Sequence, residues 1–157
     1  MQGYFYELTE FVQNQIKGNE HFTCRFSAED SDFVRFNRGA IRQPGHVRQM
    51  HLNLQLIDGL RHANYSSTLG GNLNADHELI DRLVCSLRNQ LADLPEDPHL
   101  LISTKVCSTE QIASTSLVQT NAIVDDIMLI AQSHDFVGIL AAGPIYCGFA
   151  NCAGHMN

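Results

Sequence analysis

Residues 49–68 read QMHLNLQLIDGLRHANYSST, and the fold class turns on them. Met50, Leu52, Leu54 and Leu56 alternate with Gln49, His51, Asn53 and Gln55. A β-strand sends successive side chains to opposite faces, so this run has one apolar and one polar face. One buried and one wet face is the pattern of an antiparallel sheet. Asp58-Gly59 is a hairpin signal, and a returning strand is expected over residues 60–68, stopped by Gly70-Gly71.

Upstream, Phe22, Cys24 and Phe26 alternate with Thr23, Arg25 and Ser27. A further run over residues 32–42 holds Phe33, Val34 and Phe36, and Pro44-Gly45 is expected to turn the chain. Residues 21–69 therefore predict a four-stranded antiparallel meander.

Helical spacing flanks this sheet. Tyr4, Leu8, Phe11, Val12 and Ile16 predict a first helix ended by Gly18-Asn19. Ile80, Leu83, Val84, Leu87 and Leu91 predict a second over residues 74–92, with Asn74 as N-cap and Asp76 and Glu78 in its first turn. Ile123, Ile127 and Ile130 predict a third over residues 116–134. These last two helices are expected to cover the Met50/Leu52/Leu54/Leu56 face. Residues 100–102 suggest a short strand. Residues 136–142 and 145–151, around Gly143-Pro144, suggest a buried C-terminal hairpin. The predicted class is α+β: a four-stranded meander with helices on one side and a C-terminal hairpin.

With 157 residues, the chain is expected to form a single domain over 1–157. The net charge of −7, without a basic stripe, argues against nucleic acid as a partner. The uncharged stretch 136–154 is interrupted by Gly143-Pro144 and Asn151, which argues against a membrane span. Five cysteines, an odd number, and a start with neither a basic nor an apolar leader segment point to a reduced, cytoplasmic protein.

The sequence holds no GxxxxGK[ST], GxGxxG or GxSxG motif. His77-Glu78 is followed by Asp81 and Arg82, where a zinc helix needs a second histidine one turn on. No residue is therefore assigned a catalytic role. Cys147, Cys152 and His155 are weak candidates for a metal site, because no fourth ligand accompanies them and a strand need not bring them to one face.

Six of the eight arginines lie in residues 25–61, against four acids. Arginine suits planar contacts to carboxylates and peptide groups. Arg25, Arg35, Asn37, Arg38, Arg42, Arg48, Gln49 and His51 are thus the candidate peptide- or partner-binding residues, although a solvated sheet face is the plainer reading. A standalone protein- or peptide-binding module and a small Cys/His metal-binding protein also fit the residues.

Three stretches carry a family resemblance: SDFVRFNRGAIRQPGHVRQ (31–49), IDGLRHANYSSTLG (57–70) and GILAAGPIYCGFANCAG (138–154). In this order they resemble the N-terminal region of the TldD/PmbA family, metallopeptidase-related proteins also named modulators of DNA gyrase. The resemblance implies an α+β domain that encloses peptide substrate and contacts a second subunit, either another copy or a related TldD/PmbA-type chain. It implies unfolded peptides as substrate. It also places the zinc and its HExxxH motif in a C-terminal catalytic domain outside these residues, so no cofactor is expected in this chain.

Overall fold

The computed structural model describes residues 1–103, 105–114 and 116–156. It is α+β, with three helices and a six-stranded antiparallel sheet. The chain runs α1 (Gln2–Gln13), β1 (Glu20–Asn37), β2 (Ala40–Asp58), β3 (Arg61–Thr68), α2 (Leu73–Leu91), α3 (Thr120–Ala131), β4 (Gly138–Ala142), β5 (Ile145–Asn151) and β6 (Gly154–Met156). The strand order is β3-β2-β1-β5-β6, with β4 also paired to β1. No helix among the described residues is long and apolar enough to cross a membrane.

The chain divides into two compact units. The first comprises Met1–Ala28, Met50–Gln111 and Tyr146–Asn157 and holds the main core. Leu52, Leu54 and Leu56 are buried there, together with Phe22, Cys24 and Phe26 from β1. Burying one such leucine contributes roughly 1.5–3 kcal/mol. The covering helices are α1, through Phe5, Leu8 and Val12, and α2, through Ile80, Val84 and Leu87. The expectation that the third helix shares this role is corrected, because α3 belongs to the second unit. The N-cap of α2 is Asn72, not Asn74: the Asn72 side chain accepts from the Ala75 N–H at 3.2 Å.

Asp76 is buried at the start of α2. It accepts from the Gly70 and Gly71 N–H groups, each at 2.9 Å, and from the Tyr4 hydroxyl at 2.5 Å. One carboxylate thus joins the β3–α2 loop to α1. Burial first, then the Asp76 hydrogen bond and charge, push the Tyr4 phenol well above its usual range. Arg88 ties the end of α1 to the start of β1, donating to both Glu20 carboxylate oxygens at 2.6 and 2.8 Å and to the Gln15 carbonyl at 2.9 Å.

The second unit comprises Glu29–Gln49 and Ile112–Ile145. Here β1 runs between β2 and β4, with Asp32 opposite Ala142 and Phe36 opposite Gly138. The expected meander is corrected: two long strands, β1 and β2, replace three of the four predicted ones. The chain reverses at Arg38-Gly39 (φ 53° and 65°), the left-handed pair that a type I′ hairpin needs. Pro44-Gly45 lies inside β2 instead. Proline is tolerated because β3 pairs only with residues 51–58, leaving this part of β2 at an edge. Glycine leaves room for the Phe33 ring, which a Cβ at residue 45 would meet at 2.3 Å and displace.

The expected C-terminal hairpin is also corrected. Among the described residues β4 and β5 each pair with β1 and not with each other. The Asp30 N–H donates to the Pro144 carbonyl at 3.1 Å, and a Cβ on Gly143 would lie 2.2 Å from the Asp30 carbonyl oxygen. Gly143-Pro144 is therefore a close approach to β1, not a reversal. The true C-terminal hairpin joins β5 to β6, with Phe149 opposite Met156 and the Asn151 side chain accepting from the Ala153 N–H at 2.8 Å.

Candidate functional site

In the first unit the sheet face opposite the helices bears a cleft of about 440 Å³. Its floor is Thr23 and Arg25 of β1, Gln55 and Ile57 of β2, and Phe149 and Asn151 of β5. Its wall is Leu100, Leu101, Ile102 and Ser103, with Lys105 and Cys107 beyond them. Residues 100–102, expected to be a strand, are irregular. Among the described residues they have no ladder partner, because the segment lies over the sheet face as a strap. The strap is held at both ends. The Leu100 N–H donates to the Asp97 carbonyl at 3.2 Å, and the Asp97 N–H donates to the Leu60 carbonyl at 2.8 Å. At the far end the Thr109 N–H donates to the His155 carbonyl at 3.0 Å, and Thr109 bridges to Met156. A Cβ on Gly154 would lie 2.2 Å from the Cys107 carbonyl oxygen, so only glycine admits the strap this close to β6.

A polar chain orders the floor. Thr23 donates to Gln55 Oε1 at 3.1 Å, the Gln55 amide nitrogen meets His62 Nδ1 at 3.2 Å, and His62 Nε2 meets Asp97 at 3.4 Å. With Gln55 donating, the tautomer that satisfies every member carries the His62 proton on Nε2. Ile57, on the polar side by its register, is 2% exposed beneath the strap.

The predicted binding residues do not form one surface. Arg25 lines the cleft and His51, on β2 in the same unit, lies 3.4 Å from the Thr68 hydroxyl. Arg35, Asn37, Arg38, Arg42, Arg48 and Gln49 belong to the second unit. There Arg35 stands opposite Ile139, Asn37 and Arg38 enter the turn, Arg42 is exposed on β2, and Gln49 donates to Glu29 at 2.8 Å.

Arg48 lies 3.9 Å from Asp30, in an acidic cluster that sequence reasoning missed. His46 stands between two carboxylates, 2.9 Å from Asp30 and 3.0 Å from Asp32, and Asp32 also accepts from the Thr120 hydroxyl at 2.9 Å at the start of α3. The hydrogen bond to Asp32 holds the His46 ring above the usual histidine range, and the charges of Asp30 and Asp32 add to it. The same bond, followed by that from Thr120, holds Asp32 below the usual carboxylate range. Asp30-x-Asp32 with a histidine on the next strand was the available signal, but Pro44-Gly45 read as a turn would have separated them.

Of the three candidate metal ligands, Cys152 and His155 line one pocket beside Tyr6 and Thr9, and Cys147 does not join them. On β5, Ala150 is buried in the core whereas Phe149 and Asn151 line the cleft, so the pleat turns Cys147 to the cleft side. His155 stands opposite Ala150 on the helix side, 2.9 Å from the Thr9 hydroxyl. Among the described residues no three His, Cys, Asp or Glu side chains group as metal ligands. Cys24 is buried, and burial pushes its thiol up to about 12, which suits a core residue and not a nucleophile.

No family profile and no curated protein matches this chain. Among solved structures it is similar to a Thermotoga maritima protein described as a "putative modulator of a DNA gyrase", with a TM-score of 0.54 and 7% identity. The likeness covers 99% of this chain and 37% of that one. At this identity it is a likeness of fold. The class defined here is thus an α+β fold shared with part of a larger protein.

Proposed function

We propose that this chain is a substrate-holding and subunit-contact domain of a TldD/PmbA-like zinc metallopeptidase that processes peptides, without catalysis of its own. The observation that carries this reading is the strapped cleft of the first unit, with polar groups at Thr23, Arg25, Gln55 and Asn151 beside apolar Ile57 and Phe149. Such a floor offers a peptide both hydrogen-bond partners and a seat for an apolar side chain. The fold likeness supports the family at the level of architecture. Zinc and its ligands would come from a separate catalytic domain.

The subunit-contact role rests on the second unit. Among the described residues β4 pairs only with β1, so its outer edge is open, and Ile139 on it is 70% exposed. An open apolar strand edge is a template for another chain, here a second copy or a related subunit. Five cysteines without disulfides suit a cytoplasmic setting.

The test combines binding and cleavage. Fluorescence anisotropy with labelled unfolded peptides should show saturable binding, and the same mixture with added zinc should show no cleavage. Zinc-dependent hydrolysis by the purified chain, or no binding to any peptide, overturns the reading.

A further inference from the structure

The cleft of the first unit has a charge bias that says which part of a peptide it takes. Its lining includes two charged side chains, Arg25 on the floor and Lys105 on the strap, and no carboxylate. Both are cations, in a chain whose net charge is −7. Both are exposed, and neither forms an ion pair among the described residues. The rest of the floor presents the Gln55 amide and the apolar surfaces of Ile57 and Phe149.

The interior of a peptide carries no backbone charge to satisfy two unpaired cations, and an N-terminal ammonium is repelled by them. A C-terminal carboxylate satisfies both. A guanidinium binds a carboxylate through two parallel N–H···O bonds, and an ammonium adds a further charge-assisted bond. The apolar floor then accommodates the side chain of the last residue. Resting on the peptide-holding reading above, we infer that the cleft recognises the free C-terminal carboxylate of a peptide ending in an apolar residue.

The test uses the full 157-residue chain and a fluorescein-labelled, Gly/Ser-rich octapeptide ending in leucine. It is supplied as the free acid and as the C-terminal amide, and binding is read by anisotropy. The amide should bind about tenfold or more weakly, the order expected when a charge-assisted bond is lost. Arg25→Gln and Lys105→Gln should each weaken the acid and leave the amide unchanged, with unaltered thermal unfolding showing that the fold survives. Unlabelled octanoate, which carries the carboxylate and an apolar tail without a peptide, should compete more weakly than the unlabelled peptide. Equal binding of acid and amide overturns this inference while peptide holding stands. Octanoate competing better than the peptide overturns the peptide as the source of the carboxylate. If neither peptide form binds, both readings fall.

Discussion

Asp76 carries three hydrogen bonds from one buried position. Its carboxylate is the acceptor for two loop N–H groups, those of Gly70 and Gly71. Asp76→Ala should therefore cost about 2 kcal/mol, since three hydrogen bonds are lost while water can reach the exposed Gly70 and Gly71 N–H groups. Tyr4→Phe, which removes only one donor, should cost about 1 kcal/mol. Urea unfolding midpoints check both. His46 makes a second prediction at this scale. Protonated His46 is favoured in the folded state, so its stabilisation is fully present below its unfolded value, roughly 6.5, and is lost as pH rises through the raised folded value. Asp32 acts in the opposite direction: its contribution is present above its unfolded value and is lost as pH falls through the lowered folded one. Proton NMR should find the His46 ring titrating above 6.5, and Asp32→Asn should bring its midpoint down. A midpoint that does not move in that variant would remove the geometric explanation.

At the scale of elements, the β1–β2 hairpin shows what local signals can and cannot say. Both Pro44-Gly45 and Arg38-Gly39 contain a glycine, and the Pro-Gly pair is the stronger turn dipeptide. The turn nevertheless falls at Arg38-Gly39, where both residues take positive φ. Arginine adopts that region at a cost of roughly 1–2 kcal/mol, which asparagine reduces. Arg38→Asn should raise the melting temperature by relieving up to about 1 kcal/mol of this cost. Gly39→Ala should lower it, because a Cβ there has a left-handed backbone and two carbonyl oxygens, of Ala131 and His134, at 3.2 Å. The helices were easier to place. The stripe of Ile80, Leu83, Val84, Leu87 and Leu91 located α2 to within a residue at each end, because an amphipathic period is written in consecutive side chains. The cap was missed by two positions, since Asn72 and Asn74 are both good caps and only the Ala75 N–H distinguishes them.

At the scale of the whole molecule, the second unit exposes Leu129, Ile130, Val137, Ile139 and Ile145, each more than two-thirds exposed. If this surface contacts a second copy, light scattering should give a mass above 17.5 kDa that falls on dilution. Ile139→Glu, at the open edge of β4, should shift the population to monomer without lowering the melting temperature. A monomer at every concentration would remove self-association from the proposed function.

The sequence by itself determined which residues are apolar together. Alternation through Leu52, Leu54 and Leu56, and helical spacing through Leu8 and Val12, follow from fixed backbone periods of two and 3.6 residues. Only the tertiary structure decided which strand takes which neighbour and what covers the polar face. β4 and β5 choose β1 because Gly143 lets the chain approach Asp30 closely, and the strap that bears Ile102, Lys105 and Cys107 lies over Gln55 and Ile57 because Gly154 admits the Cys107 backbone. Ile57 was the one local hint of that roof, an apolar residue in the wet register. Periodicity is a property of neighbours in sequence, whereas the cleft and its two cations are set by segments more than a hundred residues apart, which meet only when the chain folds.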